Sequence, residues 1–191
     1  MESPVERAIH ERKNTTPRRL RAPGPSAKQL DSLLSAAAAA PDHGKLNPWR
    51  FILIPEERRE DLARVFRQAL KERDADATLD QLEAARDKAA RAPTLLLAVI
   101  DLSRREPDIP AEERLVSLGC AIQNMLLLAQ AVGFGSGLAS GQALSSSVLR
   151  DAFRIRAGEV AVCFVSFGTV AVDKPHKARP AVAEFYSVYG K

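Results

Sequence analysis

Three stretches carry the side chains that could do chemistry. They are the basic pair Arg12 and Lys13 followed by Asn14, the polar turn from Asp42 to Asn47, and the small-residue stretch Gly133 to Gly141, GFGSGLASG. Guanidinium and ammonium groups neutralise a phosphate, and small residues let backbone N–H groups approach a ligand closely. Next to the apolar end of a helix, which can support a ring, these pieces suit a flat anionic ligand. A bound cofactor would also account for the absence of an evident nucleophile or acid/base pair.

Other chemistries are excluded by spacing. His10, His43 and His176 are far apart, with no His-x-x-x-His or Cys-x-x-Cys run, so no metal site is expected. The glycines of GFGSGLASG follow a helical pattern, whereas a dinucleotide fingerprint or P-loop places them after a strand. Ser140 lies in GLASG, which lacks the Gly-x-Ser-x-Gly elbow of a serine hydrolase. The carboxylates lie mostly on amphipathic helices at spacings that pair them with Lys or Arg, the pattern of a solvated face.

Net charge is +4 with pI near 9.3, and three of those four surplus charges fall within residues 1–21. This basic cluster comes without zinc-finger spacing, RNP aromatics or a Gly-x-x-Gly clamp, so no nucleic-acid partner is expected. The N-terminal segment has no apolar signal core, and the most apolar later run is broken by Gln123, Asn124, Gln130 and glycines. These features predict a cytoplasmic protein that does not enter a membrane. Cys120 and Cys163 each sit in an apolar stretch, which predicts buried free thiols.

The elements that must position these residues follow from periodicity and caps. Ser3-Pro4-Val5-Glu6 is a capping box that starts a helix ending near Lys13, and a proline-rich connection leads to a second box, Ser26 to Gln29. The second helix buries Leu30, Leu33, Leu34 and Ala37 and stops at Pro41. WRFILI reads as a strand ended by Pro55, followed by helices over 56–71 and from Thr78. APTLLLAVID is a buried strand, 112–132 a long core helix, 133–141 a glycine-rich loop, 147–153 a short helix, and EVAVCFVSFG a strand covered on both faces. The aromatic tail, with Phe185, Tyr186 and Tyr189, is expected to dock on something, such as a partner subunit. No linker divides the chain, so residues 1–191 are expected to form a single domain.

The order of these pieces resembles the nitroreductase family of FMN-dependent oxidoreductases, in particular its small bacterial NAD(P)H nitroreductase branch. The likeness rests on a basic N-terminal helix end, APDHGKLNPWRF entering the first strand, APTLLLAV, GCAIQNMLLLAQAVGFGSGLASG and the late FVSFGT. The resemblance implies an α+β fold with a mixed, largely antiparallel sheet flanked by helices. It also implies a homodimer with FMN at the interface, NAD(P)H as electron donor, and nitroaromatic or quinone-like acceptors reduced in two half-reactions.

Carried onto this chain, the resemblance implies FMN contacts at Arg12, Lys13, Asn14, Ala39, His43, Val132, Gly133, Leu138, Ala139, Ser140 and Gly141. No catalytic side chain is implied. Several positions depart from the family: Lys13 and Asn14 replace Arg and Ser, Asn47 replaces Arg or Gln, and Leu138-Ala139 replaces Trp-Arg. Loss of a cation that meets phosphate costs about 1.5–3 kcal/mol, with Arg19 a candidate substitute. A flavin binder with little turnover is therefore the alternative function. Taken without the resemblance, His43 reads as a helix-stop residue and Trp49 as core packing.

Overall fold

The computed structural model describes residues 3–103, 108–173, 175 and 178–190, so His176 lies outside the described residues. At the centre of the sheet, β3 (Thr94–Asp101) runs antiparallel to β5 (Glu159–Val170), from Thr94 opposite Phe167 to Asp101 opposite Glu159. β2 (Trp49–Leu53) pairs antiparallel with β3, and β1 (Leu20–Arg21) with the last two residues of β5. β4 (Gly135–Ala139) runs antiparallel along β5, from Gly135 opposite Gly168 to Ala139 opposite Phe164.

Side-chain alternation divides the core into two layers. Leu96, Ala98 and Ile100 of β3, with Cys163, Val165 and Phe167 of β5, face α2 (Ala27–Ala38) and α5 (Ala111–Ala131). Leu95, Leu97 and Val99, with Ala161 and Phe164, face α3 (Arg59–Arg73) and α6 (Ser147–Ala152). Both central strands are thus covered on both faces, as their near-continuous apolar runs require. The architecture is α+β, an antiparallel sheet between helical layers.

The predicted capping boxes form at Ser3/Glu6, Ser26/Gln29 and Thr78/Gln81, starting α1 (Pro4–Glu11), α2 and α4 (Leu79–Arg86). Helix α1 ends at Glu11 rather than Lys13, which leaves Arg12 as its C-cap in extended geometry. The predicted helix over 56–71 begins as a 3₁₀ turn and continues as α3 to Arg73.

Two corrections concern strands. The stretch read as a glycine-rich loop over 133–141 contains β4, and the proline-rich connection contains β1. Glycines erase the apolar alternation that marks a strand, yet here they are demanded by close approach. A Cβ on Gly135 would stand 2.5 Å from Val170 and 2.9 Å from Leu20.

Both cysteines are free, Cys163 buried but Cys120 only half-buried. Phe185, Tyr186 and Tyr189 are exposed in the chain. No helix of the described residues is long and apolar enough to cross a membrane.

Candidate functional site

After α1 the chain runs as a strap over the edge of the sheet. Asn14 forms a parallel bridge with Ser136, and the Thr15 N–H donates to the Ser136 carbonyl at 2.8 Å. The Leu138 N–H in turn donates to Asn14 Oδ1 at 3.3 Å. Gly137 permits this contact, because a Cβ there would lie 2.2 Å from the Thr15 carbonyl oxygen. The strap continues into a 3₁₀ turn, Pro17–Arg19, whose Arg18 is exposed.

Beneath the strap lies a cleft of about 710 Å³, bounded by the strap, α3, α4 and the segment from Leu138 to Leu144. This volume is that of a small-molecule or cofactor site. The sheet supplies the floor through Leu95, Phe164 and Ser166, and α3 supplies apolar wall through Phe66 and Leu70. Phe66 meets Phe164 edge to face, with ring centroids 5.6 Å apart.

Ser166 is fully buried, and its Oγ is the one buried side-chain polar atom without a hydrogen-bond partner among the described residues. Its cross-strand neighbours are Leu95 and Gly137, and the latter has no side chain to cover it. A buried hydroxyl left unpaired costs about 1–3 kcal/mol, so its place on the floor of a cleft points to a ligand that pairs it.

The cleft is also cationic. Arg18, Arg73, Lys88 and Arg91 line it, against the single carboxylate of Asp74. None of the four is in an ion pair among the described residues. By contrast, Arg58 just before α3, Arg64 and Arg67 on α3 and Arg86 on α4 all pair with carboxylates. Burial, then the nearby charge of Arg18, holds the Arg91 guanidinium below its ordinary pKa.

Among the residues implied by resemblance, Leu138, Ala139, Ser140 and Gly141 line this cleft, and Asn14 holds the Leu138 backbone in place. Arg12 and Lys13 are not among the lining residues. Lys13 Nζ contacts Asp173 at 2.9 and 3.0 Å, and the Arg12 carbonyl accepts from Arg179 Nη2 at 2.8 Å. Arg19 contributes its backbone, with its carbonyl accepting from the Ala171 N–H at 2.8 Å.

The remaining implied residues lie at the ends of α2 and α5 or beside them. Ala39 is the C-cap of α2, Val132 that of α5, and Gly133 turns the chain into β4 at φ 87°. His43 Nδ1 stands 2.6 Å from Glu113 Oε2, in the first turn of α5.

The rest of the polar turn is braced by its own backbone. Asp42 Oδ2 accepts from the Asn47 N–H at 2.6 Å, and Gly44, Lys45 and Asn47 all take positive φ. Trp49 donates from Nε1 to Ser117 Oγ at 3.1 Å and packs against Phe51, so it fastens β2 to α5.

A smaller groove of about 360 Å³ lies on the α5 side, between Leu115, Gly119, Ile122 and Cys163. Leu138 and Ser140 border both concavities. Burial pushes the Cys163 thiol up to about 11, which leaves no thiolate for nucleophilic chemistry there.

Sequence reasoning missed Arg18, Lys88, Arg91 and Ser166. Ser166 alone left a signal, a polar residue inside EVAVCFVSFG, a strand whose other positions fit burial on both faces. Lys88 and Arg91 left none, because lysine and arginine near a helix end read as solvated surface, and Arg18 was one charge of the basic cluster in residues 1–21.

The family model described as "Nitroreductase family" matches residues 12–169. A Haemophilus influenzae protein named "Putative NAD(P)H nitroreductase" is 35% identical over 152 residues, covering 80% of this chain and 82% of that protein. The crystal structure of a nitroreductase-like family protein from Bacillus cereus superposes with a TM-score of 0.84 at 20% identity, covering 100% of this chain and 98% of that one. A nitroreductase with bound FMN from Bacteroides fragilis superposes with a TM-score of 0.72 at 19% identity, covering 97% and 98%. The two structures share the fold; the sequence matches carry the kinship, and this chain belongs to the nitroreductase family.

Proposed function

We propose that the protein is an FMN-dependent NAD(P)H oxidoreductase whose flavin occupies the cleft between the strap, α3 and the end of β4. The observation that carries this reading is the unpaired Ser166 Oγ on the floor of an apolar-walled, cation-rimmed cleft. The residues present fit FMN. Phe66, Leu70 and Phe164 offer apolar surface to a ring system, Ser166 a hydrogen bond to a polar ring edge, and the free cations a counter-charge for phosphate. The family membership and the nicotinamide in the relative's name support the same choice.

Bound there, FMN would supply the redox chemistry, hydride acceptance from NAD(P)H and two-electron reduction of an oxidised acceptor such as a quinone or nitroaromatic. The chain's own residues bind, orient and exclude. Ser166 and the backbone of Leu138 to Gly141 fix the ring, and Phe66 and Phe164 keep water from one side of it. Cations at the rim stabilise negative charge that develops on the ring edge. No side chain is required to transfer a proton, which agrees with the lack of an acid/base constellation in the cleft.

A homodimer completes the site in this reading, so that Ala39, His43, Val132 and Gly133 border the flavin of the partner. Exposed Leu115, Val116, Val132 and Leu138, together with the aromatic tail, supply apolar surface for that contact. Two free thiols suit a reducing compartment, so we place the activity in the cytoplasm, with residues 1–191 acting as one domain.

The test is steady-state NAD(P)H oxidation by the FMN-loaded protein with a quinone and with a nitroaromatic as acceptors. Turnover giving parallel double-reciprocal lines is expected for two half-reactions. Retained flavin with no turnover for any acceptor would instead favour a binding protein, a reading that the Leu138-Ala139 pair motivates.

A further inference from the structure

We infer that Arg73 and Lys88 select electron acceptors that carry an acid group, so that the substrate class is an aromatic or quinoid ring bearing a carboxylate or similar anion. The inference rests on the flavin reading above and names the acceptor class of the same cleft.

Helix geometry grades the wall of the cleft from apolar to cationic. On α3, Phe66, Leu70 and Arg73 follow one another at i, i+4 and i+7, and all three line the cleft. Phe66 is half-buried against Phe164 of the sheet, whereas Arg73 is exposed at the end of the helix. The neighbouring element repeats the pattern. Ala84 and Ala85 of α4 line the cleft, and Lys88 stands one turn further on, exposed in the 3₁₀ turn Asp87–Ala90.

At a rise of about 1.5 Å per residue, Arg73 lies about 4.5 Å along the axis from Leu70, a step that a benzoate-sized molecule spans. Its ring would lie on the apolar part of the wall and its acid group at the lip. The 2′-phosphate of NADPH, by contrast, lies at the far end of the dinucleotide from the ring that reacts.

Charge balance leaves these cations available when flavin is bound. The lining residues carry four cations against Asp74, a surplus of three. A phosphate monoester brings about −1.5 to −2, so positive charge remains even if the whole FMN phosphate faces the cleft. More remains if the phosphate lies elsewhere, and a second cationic centre exists for it: the half-buried guanidinium of Arg12, in no ion pair among the described residues, feels the charge of Arg179 and lies outside the cleft lining. Asp87 acts on Arg91, and Asp74 accepts from the Asp76 N–H at 3.2 Å within its own turn. Arg73 and Lys88 have no ion-pair partner among the described residues. Unpaired cations at the end of an apolar wall favour a ligand that is apolar at one end and anionic at the other.

The test uses the FMN-loaded full chain, with NADPH as donor and 4-nitrobenzoate or 4-nitrobenzyl alcohol as acceptor. The two acceptors are similar in size, and only the first is charged. NADPH is oxidised to NADP+, and the nitro group takes two electrons and two protons, one of them from solvent, to give a nitroso group and water. The readout is the ratio of kcat/KM for the acid to that for the alcohol, because a change in flavin loading or reactivity affects both. The wild type is expected to favour the acid. Arg73→Gln and Lys88→Gln are each expected to lower the ratio about two- to fivefold, and the double variant about tenfold, the scale of exposed charge pairs. Arg64→Gln, on the same helix but outside the cleft lining, is expected to leave it alone. Benzoate, which is not reduced, gives a readout free of turnover. Titrated into the oxidised protein and followed by flavin absorbance, it is expected to bind both variants more weakly by the same factors.

A ratio and a benzoate affinity unchanged in both variants would overturn the assignment, as would a wild type that favours the alcohol. Variants that alter the preference for NADPH over NADH while the acceptor ratio holds would move the anion to the donor and overturn it too. The flavin reading stands in each of these cases. Failure of the wild type to retain flavin, or to turn over either acceptor, would overturn the assignment together with the reading on which it rests.

Discussion

Replacing Gly137 with alanine should separate the strap from the sheet. The added Cβ would stand 2.2 Å from the Thr15 carbonyl oxygen, 3.0 Å from its carbon and 3.2 Å from Asn14 Oδ1, while ordinary contact begins near 3.4 Å. The strap must therefore retreat by about an ångström, and the obstruction is backbone, which cannot rotate away. Two hydrogen bonds depend on the present spacing, Thr15 N–H to Ser136 at 2.8 Å and Leu138 N–H to Asn14 Oδ1 at 3.3 Å.

Losing both at about 0.5–1.5 kcal/mol each, with about 1–3 kcal/mol of overpacking, gives a destabilisation of about 2–6 kcal/mol. For a chain of 191 residues this is a fall in Tm of roughly 4–24 °C, and displacing the strap that lines the cleft should weaken FMN binding as well. Thermal melting by circular dichroism, paired with a flavin titration, reads both effects. A control is Gly119→Ala in the middle of α5, where an added Cβ meets nothing within 4 Å and helix propensity favours alanine by up to about 1 kcal/mol. If Gly137→Ala melted within a degree or two of the wild type, the strap would not be held as described.

Further variants probe other parts of the account. Ser166→Ala should weaken riboflavin and FMN by the same factor, about five- to tenfold, because the lost hydrogen bond goes to the ring and not the phosphate; a stable variant with unchanged titrations would remove Ser166 from the site. Arg59, the buried first residue of α3, donates to the carbonyls of Ile54, Ala89 and Pro93 at 3.0, 2.9 and 3.2 Å. Arg59→Met should therefore cost about 3 kcal/mol or more in urea unfolding, since it leaves those carbonyls unpaired.

Glu159 is held below its ordinary pKa of 4.5, chiefly by hydrogen bonds from Arg50. A depressed carboxylate contributes stability above its unfolded pKa and loses it as pH falls through the folded value. Wild-type stability should drop on acidification from about pH 5 downward, and Glu159→Gln should flatten part of that drop in melts taken across the range. An equally steep profile in the variant would show that other carboxylates carry the effect.

The central strands and the long helix were legible because burial imposes periodicity on them. APTLLLAVID and EVAVCFVSFG must be apolar at successive positions to be covered on both faces, and each Ser or Thr before a helix with Glu or Gln three residues on announced a cap. β4 was not legible, because its ladder opens with Gly135, Ser136 and Gly137, and the two glycines are dictated by neighbours distant in sequence. The same holds for the site. Leu138 to Gly141, reached through the resemblance, line the cleft, whereas Arg18 and Arg91 acquire meaning only when the strap and the turn before β3 bring them to it. Lys13 shows the converse: its charge looked available in the sequence, and the fold commits it to Asp173, 160 positions away.

The most direct test of the flavin assignment is the visible absorption spectrum of the purified protein after incubation with excess FMN and desalting, recorded again after anaerobic addition of NADPH and of NADH. A flavin band retained at about one per chain and bleached by either nicotinamide is the predicted result. The absence of a retained band, or a band that neither nicotinamide bleaches, would contradict it.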